Sequence, residues 1–269
     1  MKFETLRLIT DVFPNVGVGM ASSGGINLIY TFLLQEYNID FYRYITIHHL
    51  SDDIGQEFIM KDRAGSLDIS IRFPVDGQDP ALDTLRGRNL VRLEMIHIAL
   101  MRWADDDPRV DKDKLESMRR LIIERDFAFD ILYKSFSSKV DDRLSASVVI
   151  KPGENFYDIY VVIEKDGVEI CKSLIYCGRT SNYLDGFFSS GKWKKSKEFI
   201  LFGKRREVEI HLSIDECRVS YVNLTRYPNP PFFTGMRADI SEEQRRAAIK
   251  DFEHSLPPAI AGAIGFNPN

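Results

Sequence analysis

The sequence has few cysteines, few histidines and no long apolar run. Its three cysteines, Cys171, Cys177 and Cys217, are an odd number without Cys-x-x-Cys spacing. Cys171 and Cys177 fall on one expected strand about 20 Å apart, too far to bridge. Free thiols in a reducing, cytoplasmic compartment are therefore expected. Of the five histidines, His48 and His49 are neighbours on an expected strand and point to opposite faces. His97, His211 and His254 lack the spacing of metal ligands. No metal and no cofactor is expected. No apolar stretch approaches the ~18 residues of a membrane span, and Met1-Lys2-Phe3-Glu4 has no apolar h-region of a secretory leader. The net charge is −4 with both signs interspersed, which gives no general case for nucleic acid or an anionic membrane. There is no fixed-period repeat.

Two familiar motifs are incomplete. Gly17–Gly25 offers phosphate-loop spacing at Gly19 and Gly24, but the lysine and hydroxyl that should follow are replaced by Gly25-Ile26. Ser22 stands where a dinucleotide fingerprint needs its third glycine. The stretch reads as a loop entering a strand. Ser189-Ser-Gly-Lys192 fits Ser-x-x-Lys without its companion motifs, and reads as a loop.

What the chain does have is a 44% hydrophobic fraction, eighteen phenylalanines and eleven tyrosines, enough for a large core and suited to sheet. The most apolar element is Asn89–Ala104, a helix with Asn89 as N-cap and a narrow polar side of Arg92, Glu94 and His97. Before it, Leu28–Glu36, Phe41–Leu50, Glu57–Met60 and Leu67–Phe73 read as four strands of a meander. In the last, Leu67, Ile69, Ile71 and Phe73 alternate with polar residues, as in an antiparallel strand wet on one side. A second helix starts near Asp113, where Asp113-Lys-Leu-Glu116 resembles a capping box, and runs to about Phe136. The two helices form a hairpin. Strands follow at Leu144–Ile150, Tyr157–Glu164, Val168–Tyr176, Glu198–Phe202, Glu207–Ile214 and Arg218–Leu224, with a tight turn at Lys165-Asp-Gly167 and a loop over Arg179–Lys197. Ser241–His254 reads as a last helix. The fold class expected is α+β: antiparallel meanders flanking a central helical hairpin, with a C-terminal helix. The regions are 1–88, 89–138 and 139–269, as one compact domain or two packed lobes.

Two charged segments are candidate contact surfaces. Asp105, Asp106, Asp107, Asp111 and Asp113 lie within nine residues, without the central glycine of a calcium loop. Lys192, Lys194, Lys195, Lys197, Lys204, Arg205 and Arg206 interleave with Trp193, Phe199 and Phe202. With no catalytic or nucleotide motif, the expected function is non-enzymatic, stoichiometric association with a protein partner. A bacterial immunity protein masking a cognate toxin is the kind of protein meant. Asp105, Asp106, Asp107 and Asp111 would meet basic groups, and Lys192, Trp193, Lys194 and Lys195 would form the other contact, with Trp193 as anchor. One rival is an enzyme or small-ligand binder using Glu94, His97 and His48 in a pocket between sheet and helices. Another is single-stranded nucleic acid on residues 191–206.

Overall fold

The computed structural model describes residues 7–10, 24–49, 57–74, 79–153, 156–179, 188, 190–203, 206 and 208–224. The expected helix Ser241–His254, most of the Gly17–Gly25 loop and residues Lys204, Arg205 and His254 lie outside them. The chain divides into two compact units, Met1–Ile131 with Pro152–Phe156, and Leu132–Lys151 with Tyr157–Asn269. Its class is α+β, with three sheets and three helices among the described residues.

In the first unit, β1 (Arg7–Thr10), β2 (Tyr44–His49), β3 (Phe58–Arg63) and β4 (Ser66–Ile71) form a sheet in the order β1-β2-β4-β3. β2 runs parallel to β1 and β4, and β3 runs antiparallel to β4. Adjacent parallel strands need a crossover. Here it contains α1 (Gly24–Glu36), which overturns the strand expected over Leu28–Glu36 and with it the simple meander. Ile26, Ile29, Tyr30, Leu33 and Leu34 recur at i, i+3, i+4, i+7 and i+8, the helical period, and all five are buried. β-Branched Ile26, Ile29 and Thr31 give the same residues a strand-like composition. β4 keeps its period of two: Leu67, Ile69 and Ile71 are buried, and Ser66, Asp68 and Ser70 are half-buried.

α2 spans Leu85–Asp106. It begins four residues before the expected Asn89, because the Thr84 side chain caps it by accepting from the Gly87 amide at 3.0 Å. Asn89 Oδ1 instead accepts from Arg92 Nη1 at 3.1 Å. The helix is packed on more sides than expected: Arg92 (1% exposed) and His97 (5%) are buried. Gly87 meets the 3₁₀ turn Pro80–Asp83 so closely that a Cβ there would lie 1.9 Å from the Ala81 carbonyl oxygen.

α3 (Lys112–Glu124) is capped by Asp111, which accepts from the amides of Asp113 and Lys114. It stops twelve residues short of Phe136. Asp126 (φ 47°) and Phe127 (φ 62°) take left-handed conformations, and the Phe127 amide reaches back to the Ile122 carbonyl at 3.1 Å, closing the helix as a C-terminal glycine usually does. An ion pair joins Glu94 to Arg119 and a hydrogen-bonding contact joins His97 to Glu116, so α2 and α3 run antiparallel.

The second unit holds two four-stranded sheets. β5 (Ile131–Ser137), β6 (Leu144–Pro152), β7 (Phe156–Lys165) and β8 (Val168–Arg179) follow one another in space as in sequence. β7 and β8 are joined by Asp166-Gly167, both at positive φ (53° and 76°), the backbone of a type I′ hairpin. β9 (Ser190–Lys194), β10 (Glu198–Phe202), β11 (Val208–Ser213) and β12 (Arg218–Asn223) form the other, antiparallel, in the order β12-β11-β10-β9. β9 falls in the expected loop Arg179–Lys197. A Cβ on its Gly191 would lie 2.7 Å from the Phe199 ring, so the glycine seats that ring. Four successive residues of β10, Phe199–Phe202, are buried, so this strand is covered on both faces.

A disulfide joins Cys171 on β8 to Cys217 in the β11–β12 turn, with the Cα atoms 5.4 Å apart. This corrects the expectation of free thiols. The partners are 46 residues apart and meet only when two sheets pack, which local spacing does not reveal.

Candidate functional site

The acidic loop between α2 and α3 is largely satisfied by its own neighbours. Asp107 accepts from Arg109 at both carboxylate oxygens (Nε–Oδ1 2.9 Å, Nη2–Oδ2 2.6 Å), from the Arg109 amide and from the Trp103 indole at 3.3 Å. The Arg109 side-chain hydrogen bonds pull the Asp107 carboxyl down to about 2, against the opposing effect of burial. Asp105 pairs with Lys112, whose hydrogen bond likewise lowers its pKa. Asp111 is spent on the α3 cap. Asp106 is exposed, and its side chain makes no hydrogen bond or ion pair among the described residues.

Among the described residues the basic strand β9 is an edge strand. In the β9–β10 ladder Lys194 faces Glu198 and Lys192 faces Ile200, while Trp193 faces Phe199. Period-two alternation puts the two lysines on one face and Trp193 on the other. Trp193 turns inward, 5.1 Å from the Phe199 ring, and its indole donates to the Phe136 carbonyl at 3.3 Å. Phe199 is buried (1%) on the inward face with Trp193, whereas Phe202 (7%) lies on the lysine face, covered by Lys192 and Arg206, whose cations stand 5.2 and 5.1 Å from its ring centre. On the outer face a network crosses three strands. Lys194 Nζ lies 3.1 Å from Glu198, whose other oxygen is 2.6 Å from His211 Nδ1. His211 Nε2 lies 2.9 Å from Glu209 Oε2, and Glu209 Oε1 is 4.0 Å from Lys192. The hydrogen bond from His211 lowers the Glu198 pKa, as does Lys194, and burial opposes both. Lys195 sits exposed in the following turn (φ 56°), with no side-chain partner among the described residues.

No family model, curated protein or solved structure matches this chain.

Of the residues proposed for an enzyme, Glu94 and His97 are held by α3. Arg119 grips Glu94 in two directions (Nη2–Oε1 2.6 Å, Nε–Oε2 3.2 Å), and His97 Nε2 lies 3.1 Å from Glu116 Oε1. His48 lies on β2, half-buried and opposite Ser70 of β4. Near the Glu94–Arg119 pair, Tyr30 of α1 is fully buried. Its hydroxyl and His97 Nδ1 have no hydrogen-bond partner among the described residues. Burial foremost, then the charge of Glu94, raises the Tyr30 pKa. A separate cavity of about 350 Å³ opens in the first unit, with Gly25, Ile29, Arg86, Asn89, Asp126 and Phe127 in its wall. Arg86 Nε bonds Asp126 at 2.9 Å across it. Among the described residues no group of three or more His, Cys, Asp or Glu side chains is placed to hold a metal ion.

Sequence reasoning missed Glu116, Arg119 and Tyr30 beside Glu94 and His97, and Arg86 with Asp126 at the cavity. All these partners come from other elements, and no local pattern points to them. One signal was available: Glu209 and His211, two apart on a strand, share a face.

Proposed function

We propose that the protein acts by stoichiometric association with a protein partner, in the manner of an immunity protein that masks a cognate toxin. The observation that supports this reading is β9: a sheet edge whose lysines stand outward while Trp193 and Phe199 hold the strand rigid from inside. Edge strands present unpaired backbone groups to an incoming chain, and a fixed strand loses little conformational freedom on binding. With no exposed aromatic platform on the described part of this segment, an acidic protein surface fits it better than a single-stranded nucleic acid. The partner would contact Lys192, Lys194 and Lys195. On the acidic loop Asp106 would carry the contact, since Asp105, Asp107 and Asp111 are already engaged.

Among the described residues no helix is long and apolar enough to cross a membrane. A cytoplasmic site of action is part of the proposal, and the Cys171–Cys217 bridge is the observation set against it, because such bridges persist mainly in oxidising compartments. The test is affinity capture of the tagged protein from its own cells, then association kinetics with the co-purifying protein. Lys195→Glu and Asp106→Lys, which break no described ion pair, should each slow association several-fold and change its dependence on salt. Unchanged kinetics in both variants would remove this reading.

A second reading, a small-ligand site, has the first-unit cavity in its favour, since its volume falls within the range of ligand pockets. The acid–base residues first considered for it, Glu94 and His97, are committed to α3, so the reading would rest on Arg86, Asn89 and Asp126.

A further inference from the structure

The disulfide sits where two complete sheets meet. β10, β11 and β12 pair along their full lengths without it, and β8 belongs to the separate ladder β5-β6-β7-β8. The bridge therefore ties a sheet edge to a turn of the other sheet and contributes to neither ladder. Its two ends differ. Cys171 is buried at 3% exposure, whereas Cys217 is exposed and in a left-handed conformation (φ 47°) in the turn. Ser173, two residues along β8, spans the bridge: its hydroxyl donates to the Cys217 carbonyl at 3.1 Å and lies 3.5 Å from Cys217 Sγ and 3.8 Å from Cys171 Sγ.

We propose that Cys171–Cys217 is a reducible clasp, opened by a dithiol reductant at the sulfur of Cys217, the exposed one of the two residues, and closing the seam between β8 and the β11–β12 turn when oxidised. Exchange proceeds by thiolate attack on one sulfur with departure of the other, so access decides which sulfur is attacked. A thiolate of the dithiol bonds to Cys217 Sγ and the Cys171–Cys217 bond breaks. Cys171 leaves as a thiolate and takes up a proton. The Ser173 hydroxyl lies 3.8 Å from Cys171 Sγ, and by turning its one proton from the Cys217 carbonyl to that thiolate as it forms it would favour a leaving group that burial otherwise disfavours. The second thiol of the reductant then attacks the mixed disulfide and releases Cys217. In all, the dithiol gives up two electrons and two protons and becomes a disulfide. The second thiol must come from outside, because Cys177 lies six residues along β8 from Cys171, about 20 Å at the rise of a strand. The functional consequence is local: reduction frees the turn and the β8 edge and leaves both ladders paired.

The experiment uses the full chain, oxidised and not denatured. A peptide map first establishes the 171–217 linkage; a chain that stays fully reduced under mild oxidation overturns the proposal. Glutathione is then added, and the mixed disulfide is trapped and located by mass spectrometry. The adduct is expected on Cys217, and an adduct on Cys171 would contradict the assigned direction. Millimolar dithiothreitol in native buffer should open the bridge within minutes. Hydrogen exchange should then rise most in 168–176 and 214–219, beyond the general acceleration that loss of the loop constraint brings to 198–213. A bridge that yields only in denaturant, or whose reduction releases the whole second unit, would make it a structural staple and end the idea. Ser173→Ala should slow native reduction several-fold while leaving the reduction rate in denaturant as it was. A purely structural serine would not separate the two rates.

Discussion

The size of the clasp's effect on stability can be worked from its place in the chain. Cys171 and Cys217 enclose 46 residues of separation. Closing a loop of that length in the unfolded chain removes entropy worth about 4 kcal/mol at room temperature. If the ladders β10–β11–β12 persist without the bridge, as the proposal holds, most of that loss should appear as lowered stability of the second unit alone. Cys171→Ser with Cys217→Ser is the perturbation, and native-state hydrogen exchange read by peptide is the assay, because it follows each unit separately. Amides of β6, β7 and β10 that exchange only by global opening of the second unit should exchange close to a thousandfold faster, the equivalent of ~4 kcal/mol. Amides of α2 and α3 should be unchanged. A shift below about 1 kcal/mol would mean that the bridge does not constrain the unfolded chain as the loop-closure argument requires. An equal shift in both units would refute their separateness as folding units.

Two further predictions concern the first unit. Gly87→Ala puts a methyl group where the Ala81 carbonyl stands 1.9 Å away; neither backbone can yield cheaply, so the unit should lose about 1–3 kcal/mol in a denaturant titration, and an unchanged midpoint would show that the 3₁₀ turn is not held against α2. In the folded protein the Asp107 carboxyl is held at about 2 by the Arg109 guanidinium, below the ordinary aspartate value. Its contribution to stability is thus fully present above the unfolded value and lost as pH falls through the folded one. Asp107→Asn should flatten the stability of the first unit between about pH 4 and pH 2; acid unfolding of identical steepness in both proteins would assign the acid sensitivity elsewhere.

The second sheet region was the most legible part of the fold. Glu198–Phe202 has the same bounds in sequence and structure, and the turn before Val168 lies at the expected aspartate and glycine. There the signals are local, a run of apolar residues and a hairpin turn. The errors share a cause in competition between local signals. Ile26–Leu34 carries the helical period, but its branched residues argued for a strand. The end of α3 has no glycine or proline, because Asp126 takes the left-handed conformation itself. β9 was hidden by Gly191 and its lysines, and exists because Phe199 packs on that glycine. The disulfide and the Glu94–Arg119 pair are long-range facts, set by which elements pack together.

The same distinction bears on the charged segments. A run of aspartates or lysines in a sequence is a count of charge, but the charge a partner meets is what remains after folding pairs it. In the acidic loop Arg109 and Lys112 neutralise Asp107 and Asp105, and Asp111 faces the amides of a helix start. On β9, Lys194 and Lys192 are drawn to Glu198 and Glu209 of the neighbouring strands. An approaching protein would have to compete with those pairs. Exposed pairs of this kind are worth only about 0–1 kcal/mol each, so Lys192 and Lys194 can exchange partners at little cost. Asp107 cannot: two hydrogen bonds from one guanidinium, an amide and an indole hold it at once. Mutation should therefore divide the candidates. Asp107 variants should alter stability before they alter binding, while Lys192, Lys194 and Lys195 variants should alter binding with stability nearly unchanged. If Asp107→Asn weakened partner association in a chain of unaltered stability, Asp107 would itself be a contact residue, and the view that folding has already spent its charge would fail.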